Sequence, residues 1–289
     1  MAPSPLNPKS HFHARSNSLP SRSHPLVSQI DEHLSKLGTT EATSSSTSNG
    51  VNALKDLYDL VNNFLLLPLT QVLAEECNER QVAELLDKSP KLMDVCSTTK
   101  DALLQIKEDT QQLESILRRR RRNDDSTLSN QVGEYFSSRK KANKVVRKSL
   151  KHLKSSSIVL DNETVATTSL LREVEEVTLT AFESLFSYIS GHSKPSDWSL
   201  ISKLMHSRCV SVEENATECN EFEQVDAELY NLLGHKTRKC GSNGAENAVN
   251  VFGKLESSIQ DLEEGMKNLL RRLIKAKVTL LNIINHYLL

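Results

Sequence analysis

Eleven residues near the C-terminal end of this 289-residue chain, Phe252, Leu255, Ile259, Leu262, Met266, Leu269, Leu273, Ala276, Leu280, Ile283 and Tyr287, succeed one another by alternating steps of three and four. No charged or amide side chain interrupts the series. Such steps keep successive side chains on one stripe of a helix and define a heptad seam. At about 1.5 Å per residue the seam runs roughly 50 Å, longer than a compact small domain needs, so it reads as a spine against which other helices lie. Two partners can fill it. The plainer one is the chain's own helices in a bundle, and the other is a second copy of the chain in a coiled coil.

The rest of the body repeats the helical signal. Gly 9 and Pro 8 are few for a chain of this length and aromatics reach only 4%, whereas strand-and-turn architectures need more of both. Leu54, Leu57, Tyr58, Val61 and Leu65 form a stripe that Pro68 interrupts by removing a backbone donor. Val72, Leu73, Val82, Leu85 and Leu86 continue beyond it, and Ser89-Pro90 has the form of a new helix start. A long helix follows with Leu92, Val95, Ala102, Ile106, Leu113 and Ile116 in its seam, while Thr99 and Asp109 occupy the two weaker places. Further helices are predicted over about 128–154 and 163–190, with a short piece at 198–205. Phe222, Val225, Leu229 and Leu232 mark another helix, closed by Gly234. Residues 1–50, with five of the eight prolines and twelve serines, cannot bury enough apolar surface to offset their ordering entropy. The fold class is therefore all-α: an elongated helical bundle over 51–289 with a long C-terminal heptad-patterned helix. A disordered N-terminal arm precedes it, with one short helix near 25–37 and a Ser/Thr-rich spacer over 39–50.

Charge is balanced overall, Lys+Arg 36 against Asp+Glu 37 for a net −1, so attraction to any polyanion has to come from a local patch. One exists. Arg118, Arg119, Arg120, Arg121 and Arg122 form an unbroken run, and Arg139, Lys140, Lys141, Lys144, Arg147, Lys148, Lys151 and Lys154 follow in the next helix. Only Asp124, Asp125 and Glu134 oppose them locally. Between Glu213 and Glu228 the balance reverses, with seven carboxylates and no Lys or Arg. The basic stretch fits an import signal, a phosphate contact or an anionic membrane surface. Tyr135 and Phe136 are its only nearby rings, so no strong nucleic-acid signal is present. A solvated helix face, its field partly offset by the acidic helix, explains the same residues.

Catalytic chemistry finds no motif. The chain has no G-x-x-x-x-G-K-[ST], G-x-G-x-x-G, H-E-x-x-H or G-x-S-x-G. No enzyme activity, metal or cofactor is expected. Its five cysteines are odd in number and lack a CxxC pair, which suits a reducing compartment, and Cys77 and Cys96 fall among apolar helical positions as small core residues. No apolar run of about 18 residues is long enough to span a bilayer. In the arm, Arg15, Ser16, Ser18 and Pro20 fit an R-S-x-S-x-P pattern that looks like a phosphoserine ligand of 14-3-3 proteins. Phosphate on Ser18 would add about −1.5 to −2 charge for an arginine cluster to grip. An ordinary serine-rich tail has the same composition, and so does a plastid transit peptide.

Several segments together resemble a plant-specific, BYPASS-related family of uncharacterised proteins. They include 15–25 with the helix at 29–34, Leu85-Leu-Asp-Lys-Ser-Pro-Lys-Leu-Met-Asp-Val-Cys-Ser-Thr-Thr-Lys-Asp101, Glu173-Val-Glu-Glu-Val-Thr-Leu-Thr-Ala-Phe-Glu-Ser-Leu185, Trp198-Ser-Leu-Ile-Ser-Lys-Leu204, Asp261-Leu-Glu-Glu-Gly265 and Arg271-Arg-Leu-Ile274. The resemblance implies a helical protein without assigned catalysis, connected with root and shoot development, and it brings over no catalytic residue. The expectation is a regulatory or scaffolding interaction protein inside the cell, cytoplasmic in the first instance, with plastid, nucleus and endomembrane open. Its partners are expected to be proteins, with 14-3-3 reached through phosphorylated Ser18. Self-association through the C-terminal helix and binding of anionic membrane by 139–154 stand as alternatives.

Overall fold

The repeats fold into helices wherever an apolar stripe can find a neighbouring stripe. The computed structural model describes residues 24–38, 44–68, 79–119, 125–155, 166–191, 220–234 and 243–288. Among the described residues there are seven helices and no strand: α1 (Pro25–Gly38), α2 (Ser44–Leu65), α3 (Glu79–Arg119), α4 (Asp125–Ser155), α5 (Ala166–Ser190), α6 (Glu221–Gly234) and α7 (Asn243–Leu288). With 46 residues α7 is about 69 Å long. It is the spine, packed along α3, α2 and α6. Nine of the seam positions, Phe252, Leu255, Ile259, Leu262, Met266, Leu269, Leu273, Ala276 and Ile283, are buried within the chain, and Leu280 is half-buried. The chain's own helices therefore fill the seam. Gly265 shows how closely: a Cβ there would come within 2.8 Å of Val51 Cγ1, so α2 and α7 approach at a position that admits no side chain.

Around this axis, α3 and α4 form an antiparallel hairpin, while α5 lies against α1, α2 and α4. Polar side chains inside the core mostly turn back on their own helices. Thr99 donates to the Val95 carbonyl at 2.7 Å and Thr110 to the Ile106 carbonyl at 2.8 Å, which lets both occupy buried stripe positions. Asn62 donates to the Tyr58 carbonyl at 2.7 Å and to the Arg272 carbonyl of α7 at 3.3 Å. Cys96 is a small core residue, as its apolar setting predicts, and its thiol donates to the Met266 carbonyl at 3.3 Å.

Three boundaries differ from the sequence reading. First, α2 starts at Ser44, inside the stretch read as a spacer, because Thr47 and Val51 bury against the bundle and extend the stripe upstream. Second, α1 is docked on the body through Ile30 and Leu34, 0% and 4% exposed, and contacts both α2 and α5. Third, Ser89-Pro90 does not begin a helix, since α3 runs through Pro90 without interruption. Proline in a helix interior removes one hydrogen bond, a loss of about 3 kcal/mol. Contacts on both sides hold the helix across it: Lys88 pairs with Glu175 of α5 at 3.1 Å, and Leu92 and Val95 enter the core one turn later. Gly191 ends α5 in the left-handed region, φ +71°, as the glycine stop predicts. The arm residues Arg15, Ser16, Ser18 and Pro20, the arginines Arg120, Arg121 and Arg122, the piece at 198–205, and Cys77 all lie outside the described residues.

Candidate functional site

The basic helix α4 has two faces. Leu128, Val132, Tyr135, Val146, Leu150 and Leu153 are buried toward the bundle. Ser149 fixes the hairpin register, its hydroxyl donating to Asp94 Oδ2 at 2.9 Å and lying 3.4 Å from Thr98 Oγ1 of α3. On the outer face Lys140, Lys141, Lys144, Arg147, Lys148, Lys151 and Lys154 are exposed. Of these seven, only Lys154 has an ion pair among the described residues, with Glu183 of α5. Val145 stands among them 54% exposed. The Ser149–Asp94 contact sets the C-terminal half of α4 beside the middle of α3, away from Arg118 and Arg119 at the end of that helix. Arg118 is further engaged by Glu114, one turn earlier on its own helix.

Arg139 is not part of the surface assigned to it from sequence. It is 4% exposed. Its Nη1 donates to Asp226 Oδ1 of α6, and its Nη2 donates to the Ile189 carbonyl at the end of α5, at 3.0 Å. The guanidinium carbon lies 5.0 Å from the centre of the Phe222 ring. Burial by itself would lower the Arg139 pKa, but the Asp226 carboxylate and the neighbouring Tyr135 hydroxyl together offset this and hold it above the ordinary guanidinium value. The physical reason for the correction is register: position 139 falls one turn beyond Tyr135 on the buried stripe, and a carboxylate waits there. The acidic run of 213–228 thus has a specific inward-facing member instead of acting only as a diffuse counter-field.

The elements around this pair are tied by further polar contacts. Asn220 and Glu223 cap α6 reciprocally: the Glu223 amide donates to Asn220 Oδ1 at 2.9 Å, and the Asn220 amide to Glu223 Oε2 at 3.3 Å. The Asn220 side chain also donates to the Tyr188 carbonyl at 3.1 Å. Tyr188 donates to Glu221 Oε2 at 2.7 Å, and its hydroxyl is 3.0 Å from Ser258 of α7. Gly191 makes room at the centre, since a Cβ there would lie 3.4 Å from Glu223 Cγ and 3.8 Å from Arg139 Nη2. Phe136 stacks on Tyr230 at 5.1 Å. Sequence reasoning missed this corner, although Asn220 three residues before Glu223 is the spacing of a capping box.

Beside the corner, a cleft of about 260 Å³ opens between α3 and α4, lined by Asp109, Gln112, Leu113, Gln131, Glu134, Tyr135, Ser137, Ser138 and Lys141. Asp109 is the residue that breaks the α3 stripe. Gln105 donates to its Oδ1 at 3.1 Å, while Oδ2 is buried and has no hydrogen-bond partner. The Tyr135 hydroxyl, also buried, lies beside Arg139, and burial keeps it protonated well above its ordinary range although the guanidinium pulls the other way.

Among the described residues, no three His, Cys, Asp or Glu side chains are grouped so that they could hold a metal ion. No described helix is long and apolar enough to cross a membrane. Compared with protein-family models, residues 50–283 match the one described as Protein BPS1. Neither the curated proteins nor the solved structures give a match.

Proposed function

The chain belongs to the Protein BPS1 family, and from that premise we propose that it is a non-enzymatic regulatory or scaffolding protein of plant root and shoot development that engages an anionic partner protein through α4. One observation supports the reading above others. Lys140, Lys141, Lys144, Arg147, Lys148 and Lys151 are exposed on one helix and form no ion pair among the described residues. Cations left unpaired by their own fold concentrate field at one place on a chain whose net charge is only −1. The arm contributes a second handle, Ser18 within R-S-x-S-x-P, for a phosphoserine reader of the 14-3-3 type.

Proximity labelling in plant cells tests this with the full chain and with Lys140, Lys144 and Lys148 all changed to Glu. Loss of a discrete set of labelled acidic proteins on charge reversal is the expected result, and an unchanged set overturns the role of α4. Recovery of 14-3-3 proteins that is unchanged by Ser18→Ala removes the arm from the reading.

A peripheral membrane role is the second reading, favoured by Val145, an apolar side chain exposed between lysines that could enter the headgroup layer of anionic lipid. Flotation with phosphatidylserine vesicles at low salt separates the two. Binding lost with the charge-reversed variant supports lipid, and failure to float ends that reading.

A further inference from the structure

We propose that the outer face of α7 is a second seam, which pairs antiparallel with the same face of a second copy of this chain. Opposite the buried seam runs a stripe formed by Gly253, Ser257, Gln260, Glu264, Lys267, Arg271, Ile274 and Val278. Its steps alternate strictly between four and three, the spacing that keeps side chains on one line of a helix. Every one of these positions is exposed, Ile274 and Val278 at 47% and 50%. Among the described residues only Gln260 bonds to another helix, accepting from Lys107 of α3, while Arg271 reaches Asn268 on its own helix. The chain's own helices therefore leave a heptad-spaced line uncovered.

The order of residues along that line names its occupant. In an antiparallel pair related by a two-fold axis, each position meets its counterpart counted from the other end, and every pairing occurs twice. With the axis between Gly265 and Met266, Gly253 faces Val278, Ser257 faces Ile274, Gln260 faces Arg271 and Glu264 faces Lys267. The two large apolar side chains thus fall on the two smallest residues. A Cβ at Gly253 would meet nothing within 4 Å, so there is room for Val278 of the other copy. The central layers set carboxylate against ammonium and amide against guanidinium.

Charge along the whole helix has the same sense. From 243 to 264 α7 carries Glu246, Glu256, Asp261, Glu263 and Glu264 against Lys254 alone. From 265 to 288 it carries Lys267, Arg271, Arg272, Lys275 and Lys277 and no carboxylate. A parallel pair would set like charges together, whereas an antiparallel pair sets each half on its opposite. At the flanks Glu256 meets Lys277, and Lys254 with Lys275 is the one like-charged approach. The paired length from 253 to 278 is about 38 Å. An anionic lipid surface fits less well, because Ser257, Gln260 and Glu264 give half the line nothing to offer it.

Sedimentation equilibrium of the full-length chain from about 10 to 500 µM should show a monomer–dimer equilibrium with a Kd of about 100 µM or tighter. Glu264→Lys alone and Lys267→Glu alone each create two like-charged layers, and each should weaken the dimer at least tenfold. Mixed in equal amounts, these two variants should regain a dimer within about threefold of the parent affinity, because carboxylate again meets ammonium in both layers. Recovery on mixing also guards against a folding defect. Ile274→Asp, at an exposed position, should weaken the dimer severalfold with the helical circular dichroism unchanged. A chain that stays monomeric throughout that range overturns the proposal. So does a dimer that Glu264→Lys, Lys267→Glu and Ile274→Asp leave untouched, since another surface then holds it. A dimer lost in the single variants and not regained on mixing overturns the antiparallel pairing. None of these substitutions lies on α4, so the outcome is separate from that of reversing charge at Lys140, Lys144 and Lys148.

Discussion

The two halves of this molecule are held by different physics. Where α7 runs between α2 and α3, the buried contact is made mainly by repeated apolar side chains; Thr99 and Thr110 bond back to their own helix, and among the bonds that cross are Asn62 and Cys96 to α7 carbonyls and an outer pair of Arg272 with Asp59. Where α4, α5 and α6 meet, contact is made by Arg139, Asp226, Phe222, Tyr188 and the Asn220–Glu223 cap, each bonded across elements or to a helix end. A repeating stripe supplies free energy roughly in proportion to buried area, but its neighbours offer nearly equivalent registers one heptad away. A buried ion pair contributes less net stability than its geometry implies, yet it is satisfied in one register only. The comparison teaches that the spine provides the cohesion and the polar corner fixes which helix sits where.

The largest effect should come from breaking the corner. Arg139→Ala leaves Asp226 buried without its cation and should lower unfolding free energy by about 3–5 kcal/mol, measured by urea denaturation. The double change Arg139→Met with Asp226→Leu should return most of that loss. If the single variant loses under about 1 kcal/mol, the corner has no special standing. Lys144→Ala, five residues along and exposed, should stay within about 0.5 kcal/mol of the parent. On the spine, Leu262→Ala should cost about 2–5 kcal/mol from lost burial and the cavity left behind. Because the stripe tolerates volume-conserving exchange, Leu262→Met should cost under about 1.5 kcal/mol.

Gly191→Ala is smaller and sharper. It forces a side chain into the φ +71° conformation and against Glu223 Cγ at 3.4 Å, which should cost about 1–3 kcal/mol in a thermal or urea transition. An unchanged midpoint would show that the α5–α6 junction adapts freely. The least perturbing test concerns Cys96, whose thiol burial pushes up to about 12. It should resist iodoacetamide at pH 8 in the folded chain and react in urea, read by peptide mapping. The folded state keeps this proton where the unfolded chain has lost it. The corresponding stability is therefore whole below the ordinary thiol value of about 9 and disappears as pH climbs toward 12.

Much of the architecture was legible because helical spacing is a local property. The α7 seam, the stop at Gly191, the break before Pro68 and the core place of Cys96 follow from side chains a turn or two apart. The site was less legible. Lys140 through Lys154 are exposed as their charge predicts, but Arg139 looked identical to them, and Pro90 looked like a helix start. Asp109 could be seen to interrupt a stripe, although nothing local said that Tyr135 and Glu134 would share its space.

By itself, then, the order of residues determined that the body would be helical, where most helices would stop, and that one long apolar edge needed covering. That follows because hydrogen bonding, proline and glycine geometry and amphipathic spacing act within a few residues. Only the tertiary structure decided that the edge is covered from within by α2, α3 and α6, that Arg139 turns inward to Asp226, and that a polar cleft lies beside it. Those outcomes depend on which side chain, distant in the chain, arrives opposite, and whether it can satisfy charge or volume there.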